Sequence, residues 1–477
     1  MRTGRVWGGL VLLFLGSVPL GASPAPSELE TLKAQLAAQQ QQIKQLQELL
    51  HRQGALLEAL QQRLEGSAGS VQAASPPQAP APDVEQLSKQ VDAVAEHAAE
   101  LGTAVGGLEK KVGGLGNFSF SGDLRVRYEP FFQDGAPQRH RERARLRFEV
   151  QADLTKELSG GFRLASGGLS DPITTNQTLT GFFTRKPVDL DRFWLTYKPE
   201  QLPWLSLTAG KFAYPWYRTE LTFDDELNPE GFSQTLSFDF PDSPLANLTL
   251  VGFELPFNVV GAGGDSFIWG GQVQTRWRLS ERARLGLYAA GVNFRNADPI
   301  ARAIGTGQLQ PSSPLSNSVR VDAAGNIIGF AERFAYLDLI AELRYRLRPR
   351  WPVRLTFDFV NNLRAASGER SGYWAVVALG RTEEKGDWAF GYTFIRIERD
   401  AVIGAYSFSD LRAATNVVNH RLSTAYQVQK HVTFGYVLLV GRLFNPQDNL
   451  NLVPLPFRAL VRDPFLRRMQ FDVIYKF

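Results

Sequence analysis

The spacing of apolar residues changes once along the chain, from a helical to an extended repeat. Within residues 27–65 and again within 84–116, apolar side chains recur at alternating intervals of three and four, which predicts coiled-coil helices. A segment rich in Pro, Ala, Ser and Gly, residues 66–83, separates them as a linker. From Phe118 onward apolar and polar residues alternate. The sequence therefore predicts an all-β domain over residues 118–477.

The alternation recurs in segments of strand length that are separated by turn residues. Sixteen strands are predicted, near residues 118–131, 139–154, 160–170, 190–199, 204–213, 231–240, 246–257, 266–279, 282–295, 333–348, 352–364, 371–382, 387–398, 417–428, 431–444 and 467–477. An even number of strands places both ends of a barrel on the same side of a membrane.

The connections between the predicted strands alternate between short and long. Residues 280–281 and 429–430 are tight turns, whereas 296–332 and 399–416 are long loops. A soluble β-sandwich alternates along each strand in the same way but has no reason to sort its loops by length. Short turns on one rim and long loops on the other are typical of outer-membrane barrels. The predicted fold class is all-β, a 16-stranded antiparallel transmembrane β-barrel preceded by an N-terminal α-helical coiled coil.

The ends of the chain carry export and assembly patterns. Arg2 and Arg5 precede an apolar run that ends in small residues, which predicts a signal peptide over residues 1–22. The last strand alternates charged with apolar residues and stops at Phe477, the expected barrel-assembly signal. The predicted location is the outer membrane of a Gram-negative-type bacterium, with the N-terminal arm in the periplasm.

Charge is divided unevenly between the two parts of the chain. Residues 23–117 carry 7 Lys+Arg against 11 Asp+Glu, and residues 118–477 carry 43 against 37, so the barrel domain is basic. Nucleic acid is not expected as a partner because the export signal removes the chain from the cytoplasm. The chain has no cysteine and five histidines without metal-ligand spacing, so neither a metal site nor another cofactor is expected. His140 and His420 lack a Ser or Asp constellation, and we expect no enzymatic activity.

Arginines at inward parity predict a basic wall of the pore. The set comprises Arg125, Arg127, Arg139, Arg141, Arg143, Arg145, Arg147, Arg192, Arg276, Arg278, Arg344, Arg346 and Arg354. Five of them occupy alternate positions of one strand, which would make a positive stripe. In the opposing interpretation, Asp123, Glu129, Glu142 and Glu149 neutralise that stripe in cross-strand pairs. The sequence leaves both interpretations open.

An acidic cluster marks the long connection between the fifth and sixth predicted strands. Asp224, Asp225, Glu226 and Glu230 are candidates for a constriction loop that folds into the lumen opposite the arginine wall, by analogy with other porin-like folds. Alternatively the cluster belongs to a solvated surface loop. The sequence does not show whether this loop or the loop at 296–332 enters the lumen.

Several segments resemble a known family. Gly122-Asp-Leu-Arg-Val-Arg-Tyr-Glu129, Leu207-Thr-Ala-Gly-Lys-Phe212 and Leu227-Asn-Pro-Glu-Gly231 are similar to the putative-porin family of bacterial outer membranes, which is distantly similar to the phosphate-selective porins. The resemblance implies a trimeric 16-stranded channel. Few lysines fall in the strands, which disfavours specific phosphate uptake.

The sequence therefore favours an outer-membrane porin that forms a water-filled channel for passive diffusion of small polar solutes, with modest anion preference. The alternative is a structural protein whose periplasmic coiled coil tethers or spaces the envelope, with conduction incidental. Expected partners are outer-membrane lipid and lipopolysaccharide, the barrel-assembly machinery, further copies of the chain in a homotrimer and, for the coiled coil, peptidoglycan.

Overall fold

The computed structural model describes residues 117–259, 264–313, 315–446 and 464–477. The predicted signal peptide (1–22), both coiled coils and the linker between them lie outside these ranges. Among the described residues, no helix has the length and apolar character needed to cross a membrane.

Strands dominate the described residues. In chain order they are β1 Phe118–Phe132, β2 Arg139–Asp153, β3 Leu158–Ser166, β4 Gln177–Thr178, β5 Val188–Tyr197, β6 Leu205–Lys211, β7 Glu230–Asp239, β8 Leu245–Asn258, β9 Ser266–Arg278, β10 Ala283–Arg295, β11 Val319–Val321, β12 Ile327–Phe330, β13 Ala335–Arg348, β14 Trp351–Asn362, β15 Ser371–Gly380, β16 Trp388–Ile397, β17 Val417–Gln429, β18 Val432–Leu443 and β19 Leu466–Lys476. Among the same residues, α-helix α1 spans Asp298–Gly305 and a 3-10 turn spans Gly404–Tyr406.

The strands form a closed antiparallel barrel. Each long strand pairs with the next along the chain, and β1 pairs with β19 to close the ring. Two-residue β4 extends the sheet beside β2 beyond the end of β3, and β11 with β12 makes a separate hairpin in the connection between β10 and β13. The wall therefore has sixteen strands, which confirms the predicted number and closure.

The closing seam brings the two ends of the described chain together. Asp123 lies opposite Lys476 across the seam. The N–H of Gly122 donates to the carbonyl of Phe477 at 3.0 Å, and the N–H of Phe477 donates back at 3.2 Å. A Cβ at Gly122 would lie 2.2 Å from the carbonyl oxygen of Arg147, so this position requires a residue without a side chain.

The two faces of each strand differ as the sequence pattern predicts. Large apolar side chains on the outer face are exposed, including Val126, Phe357 and Val473. Neighbours one position away, such as Arg127 and Asp358, are buried against other residues inside the barrel. Because the outer face is apolar, it is suited to lipid.

A hydrophobic core lies inside the barrel at the rim that carries the long loops. It combines inward side chains of the wall with residues from the connections 212–229, 296–334 and 398–416, for example Leu221, Phe334 and Ile403, none of which is exposed. Helix α1 adds Ile300 and Ala301 to this core. The connections also bind one another, since the N–H of Asp224 donates to the carbonyl of Tyr406 at 2.7 Å. Both connections that the sequence left undecided therefore pack inside the rim.

Candidate functional site: the lumen of the barrel

The connection between β6 and β7, residues 212–229, crosses the lumen, and we call it the crossing loop. On the far wall, the Tyr217 hydroxyl donates to Glu342 of β13 and the Thr219 hydroxyl donates to Asp358 of β14. The N–H of Tyr217 also donates to the side-chain oxygen of Gln272 on β9, at 2.8 Å. These bonds fix the middle of the loop to three separate strands.

The crossing loop is also fixed to the wall near its own strands. Arg145 of β2 donates to Glu226 at 2.7 Å, and Arg192 of β5 donates to Asn228 at 2.6 Å. Arg421 of β17 contacts Glu220 at 3.1 Å. Polar side chains of the wall thus hold the loop on several sides.

One part of the wall carries a group of arginines that we call the arginine column: Arg125 and Arg127 of β1, Arg141, Arg143, Arg145 and Arg147 of β2, and Arg468 of β19. Among the described residues, every member except Arg143 has a carboxylate within 4 Å. The Arg143 side chain donates instead to the hydroxyl of Thr174 and to the carbonyl of Asn176, each at 3.4 Å. Arg127 makes a two-pronged contact with Asp472, at 2.7 and 2.9 Å. Arg145 and Arg147 share Asp123.

The most deeply buried carboxylate of the column is Glu129. Its side chain is fully buried and accepts from Arg141 at 2.6 Å, from Arg468 at 2.7 Å and from Gln470 at 3.0 Å. Paired charges at such a site are stable only while all partners remain, because a buried charge that loses its partner is strongly unfavourable.

A second carboxylate reaches the column from the connection between β16 and β17. Asp410 contacts Arg468 at 2.5 Å and Arg127 at 3.5 Å, and accepts from Gln470 at 2.8 Å. Burial alone would raise its pKa, but the guanidinium groups of Arg468 and Arg127 lower the pKa of Asp410 well below its usual range. The column is therefore compensated by carboxylates from both the wall and the loops.

The acidic residues of the predicted constriction cluster occupy different environments. Burial and the nearby Glu226 carboxylate raise the pKa of Asp224 to about 8. Burial would also raise the pKa of Glu226, but Arg145 and Arg125 lower it to about 2. Asp225 is exposed and pairs with Arg218 of the same loop at 3.0 Å. Glu230 is the first residue of β7.

A second group of inward arginines lies on β9, β10, β13 and β14, toward the rim of short turns. We call it the arginine belt: Arg276, Arg278, Arg284, Arg344, Arg346 and Arg354. The Arg344 and Arg354 side chains are 63% and 49% exposed, whereas those of Arg127 and Arg145 in the column are 6% and 9% exposed. Among the described residues, Glu342 is the one carboxylate within 4 Å of the belt.

An open space lies beside the crossing loop. A cavity of about 860 Å³ is bounded by the loop on one side and by β14 to β19 on the other. Small inward residues line it, including Ala378, Gly391, Ser423 and Gly435, and Arg344 and Arg354 of the belt stand at its edge. Small side chains leave room for water along this side of the lumen.

The structure places most of the predicted arginines in two groups, the arginine column and the arginine belt. Arg139 is exposed at the long-loop end of β2, and Arg192 lies beside the column with Glu149 at 3.4 Å. Of the acids expected to neutralise the stripe, Asp123 and Glu129 do contact it, while Glu142 is exposed.

Sequence reasoning missed four charged residues that complete these groups. Arg284, Arg468 and Asp472 have the same inward alternation as the predicted arginines, so the existing criterion could have found them. Asp410 lies in a loop without periodicity, and the sequence offers no such signal for it.

The described residues contain no group of three or more His, Cys, Asp or Glu side chains that could hold a metal ion.

Part of the chain is similar to a known protein family. Residues 124–305 match the profile of one family. That family is described as putative porin. The match confirms the resemblance seen in the sequence, and it covers β1 to α1. No curated protein matches the chain.

Several solved structures are similar to this chain. OprB of Pseudomonas putida is 10% identical, with a TM-score of 0.45 over 76% of this chain and 94% of that one. OmpF of Salmonella typhi in complex with daunomycin is 11% identical, with a TM-score of 0.43 over 76% and 97%. The outer membrane channel DcaP of Acinetobacter baumannii is 10% identical, with a TM-score of 0.42 over 76% and 97%.

Proposed function

We propose that the protein is an outer-membrane porin, a water-filled channel for passive diffusion of small polar solutes. The observation that carries this proposal is the combination of a closed barrel, apolar outside, with an 860 Å³ polar-edged cavity beside the crossing loop. The match to the putative-porin family supports it. The short-turn rim then faces the periplasm and the long-loop rim faces outward, as in other outer-membrane barrels.

The anion preference belongs to the same proposal and rests on the arginine belt. The six guanidinium groups of the belt have one carboxylate, that of Glu342, within 4 Å among the described residues, so they carry excess positive charge. Excess positive charge raises the local concentration of anions in a narrow aqueous space whose walls have a low dielectric constant. The column contributes less to this field because its carboxylates lie within hydrogen-bond distance of its guanidinium groups.

Conductance in a planar bilayer tests the channel directly. Purified full-length protein should produce discrete current steps in KCl, and under a KCl gradient the reversal potential should show modest anion preference that weakens at high salt. A folded barrel that produces no steps would contradict the proposal. It would favour the envelope-tether alternative, for which the predicted coiled coil is the supporting feature.

The assembly state is a further part of the proposal. The family resemblance and the two predicted coiled-coil segments together favour a homotrimer with a parallel three-stranded arm. Deleting residues 27–115 should weaken the trimer and leave the barrel folded. A monomeric mass of the full-length protein in mild detergent would contradict this.

A further inference from the structure

Four members of the arginine belt form a row that runs across neighbouring strands. In the register of the sheet, Arg278 lies opposite Arg284, Arg284 opposite Arg344, and Arg344 opposite Arg354. Neighbouring strands are about 4.8 Å apart, so the row extends roughly 14 Å along the wall. Four like charges in direct register repel one another, and this placement is costly unless an anion relieves it.

The described contacts leave much of the row's hydrogen-bonding capacity free. The Arg284 side chain has no hydrogen-bond or carboxylate partner among the described residues. Arg344 donates to Glu342 at 2.6 Å, and Arg354 is 3.9 Å from the same carboxylate. Arg278 is held by carbonyl oxygens of the turn between β7 and β8, for example that of Ser243 at 3.0 Å, and these carbonyls bring no countercharge.

The crossing loop bounds the row on the side that faces the long-loop rim. Tyr217 of the crossing loop stacks on Tyr288 of β10, with ring centroids 4.1 Å apart, and its hydroxyl donates to Glu342. Tyr288 shares the inward face of β10 with Arg284. The crossing loop therefore lies immediately above the belt, and an anion seated on the row would lie between the loop and the short-turn rim.

We propose that the arginine belt is a binding site for linear, multiply charged phosphates at the short-turn mouth of the lumen. A guanidinium group matches two phosphate oxygens, and a row of them matches a chain of phosphates better than it matches a compact anion. Once one phosphate of a chain is bound, the phosphates linked to it are held close to the neighbouring arginines, so the chain binds more tightly than a single phosphate, which engages one arginine. This inference rests on the proposed channel only for its electrical readout.

Block of the KCl current by sodium tripolyphosphate tests the site. Tripolyphosphate is added to each side of the bilayer in turn. It should reduce the current at lower concentration from the side of the short-turn rim, because the crossing loop separates the row from the long-loop rim. Inorganic phosphate and citrate, which are not linear chains of phosphates, should require far higher concentrations. Equal block by citrate and tripolyphosphate would show that charge alone is recognised and would overturn the assignment.

The variant Arg284→Gln/Arg344→Gln/Arg354→Gln should weaken block by roughly tenfold or more, because it removes three charge-assisted partners. Arg302→Gln is the matched control, since Arg302 is an exposed arginine on α1 at the opposite rim. Unchanged block in the triple variant, or equal loss in the control, would overturn the proposal. Retention of the heat-sensitive mobility of a folded barrel in detergent gels excludes misfolding as the cause.

Calorimetric titration of the detergent-purified protein with tripolyphosphate separates this inference from the channel itself. Binding that is lost in the triple variant supports the site even if the bilayer shows no current, a result that would contradict only the proposed function. Absence of binding by a conducting wild-type channel would overturn the site and leave the channel standing.

Discussion

The arginine column and the arginine belt place the same side chain on the same inner face of one sheet, yet their charges have different consequences. In the column, register brings opposite charges together: Arg127 lies opposite Asp472, and Glu129 opposite Arg141. In the belt, register brings arginine opposite arginine. The ion pairs of the column therefore stabilise the barrel, whereas the charges of the belt act on ions in the lumen. Strand register and the carboxylates of the loops together decide which arginines keep excess positive charge.

The column also contains arginines that lie opposite one another. Arg125 lies opposite Arg145 in register, as two arginines do in the belt. Here, however, the loop carboxylate of Glu226 lies 2.7 Å from Arg145 and 3.8 Å from Arg125. Loops thus supply the countercharge that the wall lacks at this position.

The largest expected effect comes from breaking the column. Glu129→Ala leaves Arg141 and Arg468 buried beside a missing partner, and we expect it to lower the free energy of unfolding by about 3–5 kcal/mol. Urea unfolding of the barrel in lipid vesicles, followed by tryptophan fluorescence, measures this. A loss below about 1 kcal/mol would mean that the column does not stabilise the barrel through its ion pairs.

The second-largest expected effect is on ion selectivity, which should distinguish the belt from the column. Arg284→Gln/Arg344→Gln/Arg354→Gln should move the reversal potential under a KCl gradient toward the cation side, because it removes positive charge from the belt. The double variant Arg145→Gln/Glu226→Gln removes one positive and one negative charge from the column and should leave the reversal potential close to wild type. If the column variant shifts it as far as the belt variant does, the column is not compensated.

The response to pH should come from the crossing loop, and it should be smaller. In the folded protein the pKa of Asp224 is raised to about 8, above the roughly 3.9 of an unfolded chain. Stability linked to its proton is complete below about pH 3.9 and is lost as the pH rises through 8. The titratable side chains near Asp224 include Glu226, Asp410, Glu220 and Tyr214. Its carboxylate accepts from the N–H of Ser409 at 2.9 Å and from the N–H of Glu226 at 2.8 Å.

Between pH 7 and pH 9 we therefore expect the free energy of unfolding to fall and the current to become noisier as the crossing loop loosens. Asp224→Asn cannot ionise and should show a flatter pH profile. Recordings and unfolding curves at the two pH values test this, and identical profiles for wild type and variant would assign the response to another group.

The smallest effect is expected at an exposed pair. Glu230 pairs with Lys211 at 2.6 Å, but its side chain is 62% exposed. Exposed ion pairs contribute about 0.2–1 kcal/mol. Glu230→Gln should therefore change the free energy of unfolding by less than about 1 kcal/mol, which makes it the matched control for Glu129→Ala. A loss as large as that of Glu129→Ala would mean that exposure does not separate the two sites.

Alternation along single strands was enough to predict the sixteen strands and the inward face of the arginines, because both depend on a local period of two. It could not predict which arginines face carboxylates, since the answer depends on register between strands such as β1 and β19, hundreds of residues apart. Asp410 illustrates the limit most clearly. Its position against Arg468 is fixed by the packing of a loop inside the barrel, for which the sequence carries no repeat.

The closing seam between β1 and β19 also bears on the order of events in time. Every other seam of the wall joins consecutive wall strands, whereas this one joins segments at opposite ends of the barrel domain. Pairing distant segments costs more chain entropy and is slower than pairing neighbours. The contact between Gly122 and Phe477 should therefore form late, and until then two strand edges remain available to other chains. The period before closure is when this protein is most vulnerable to aggregation.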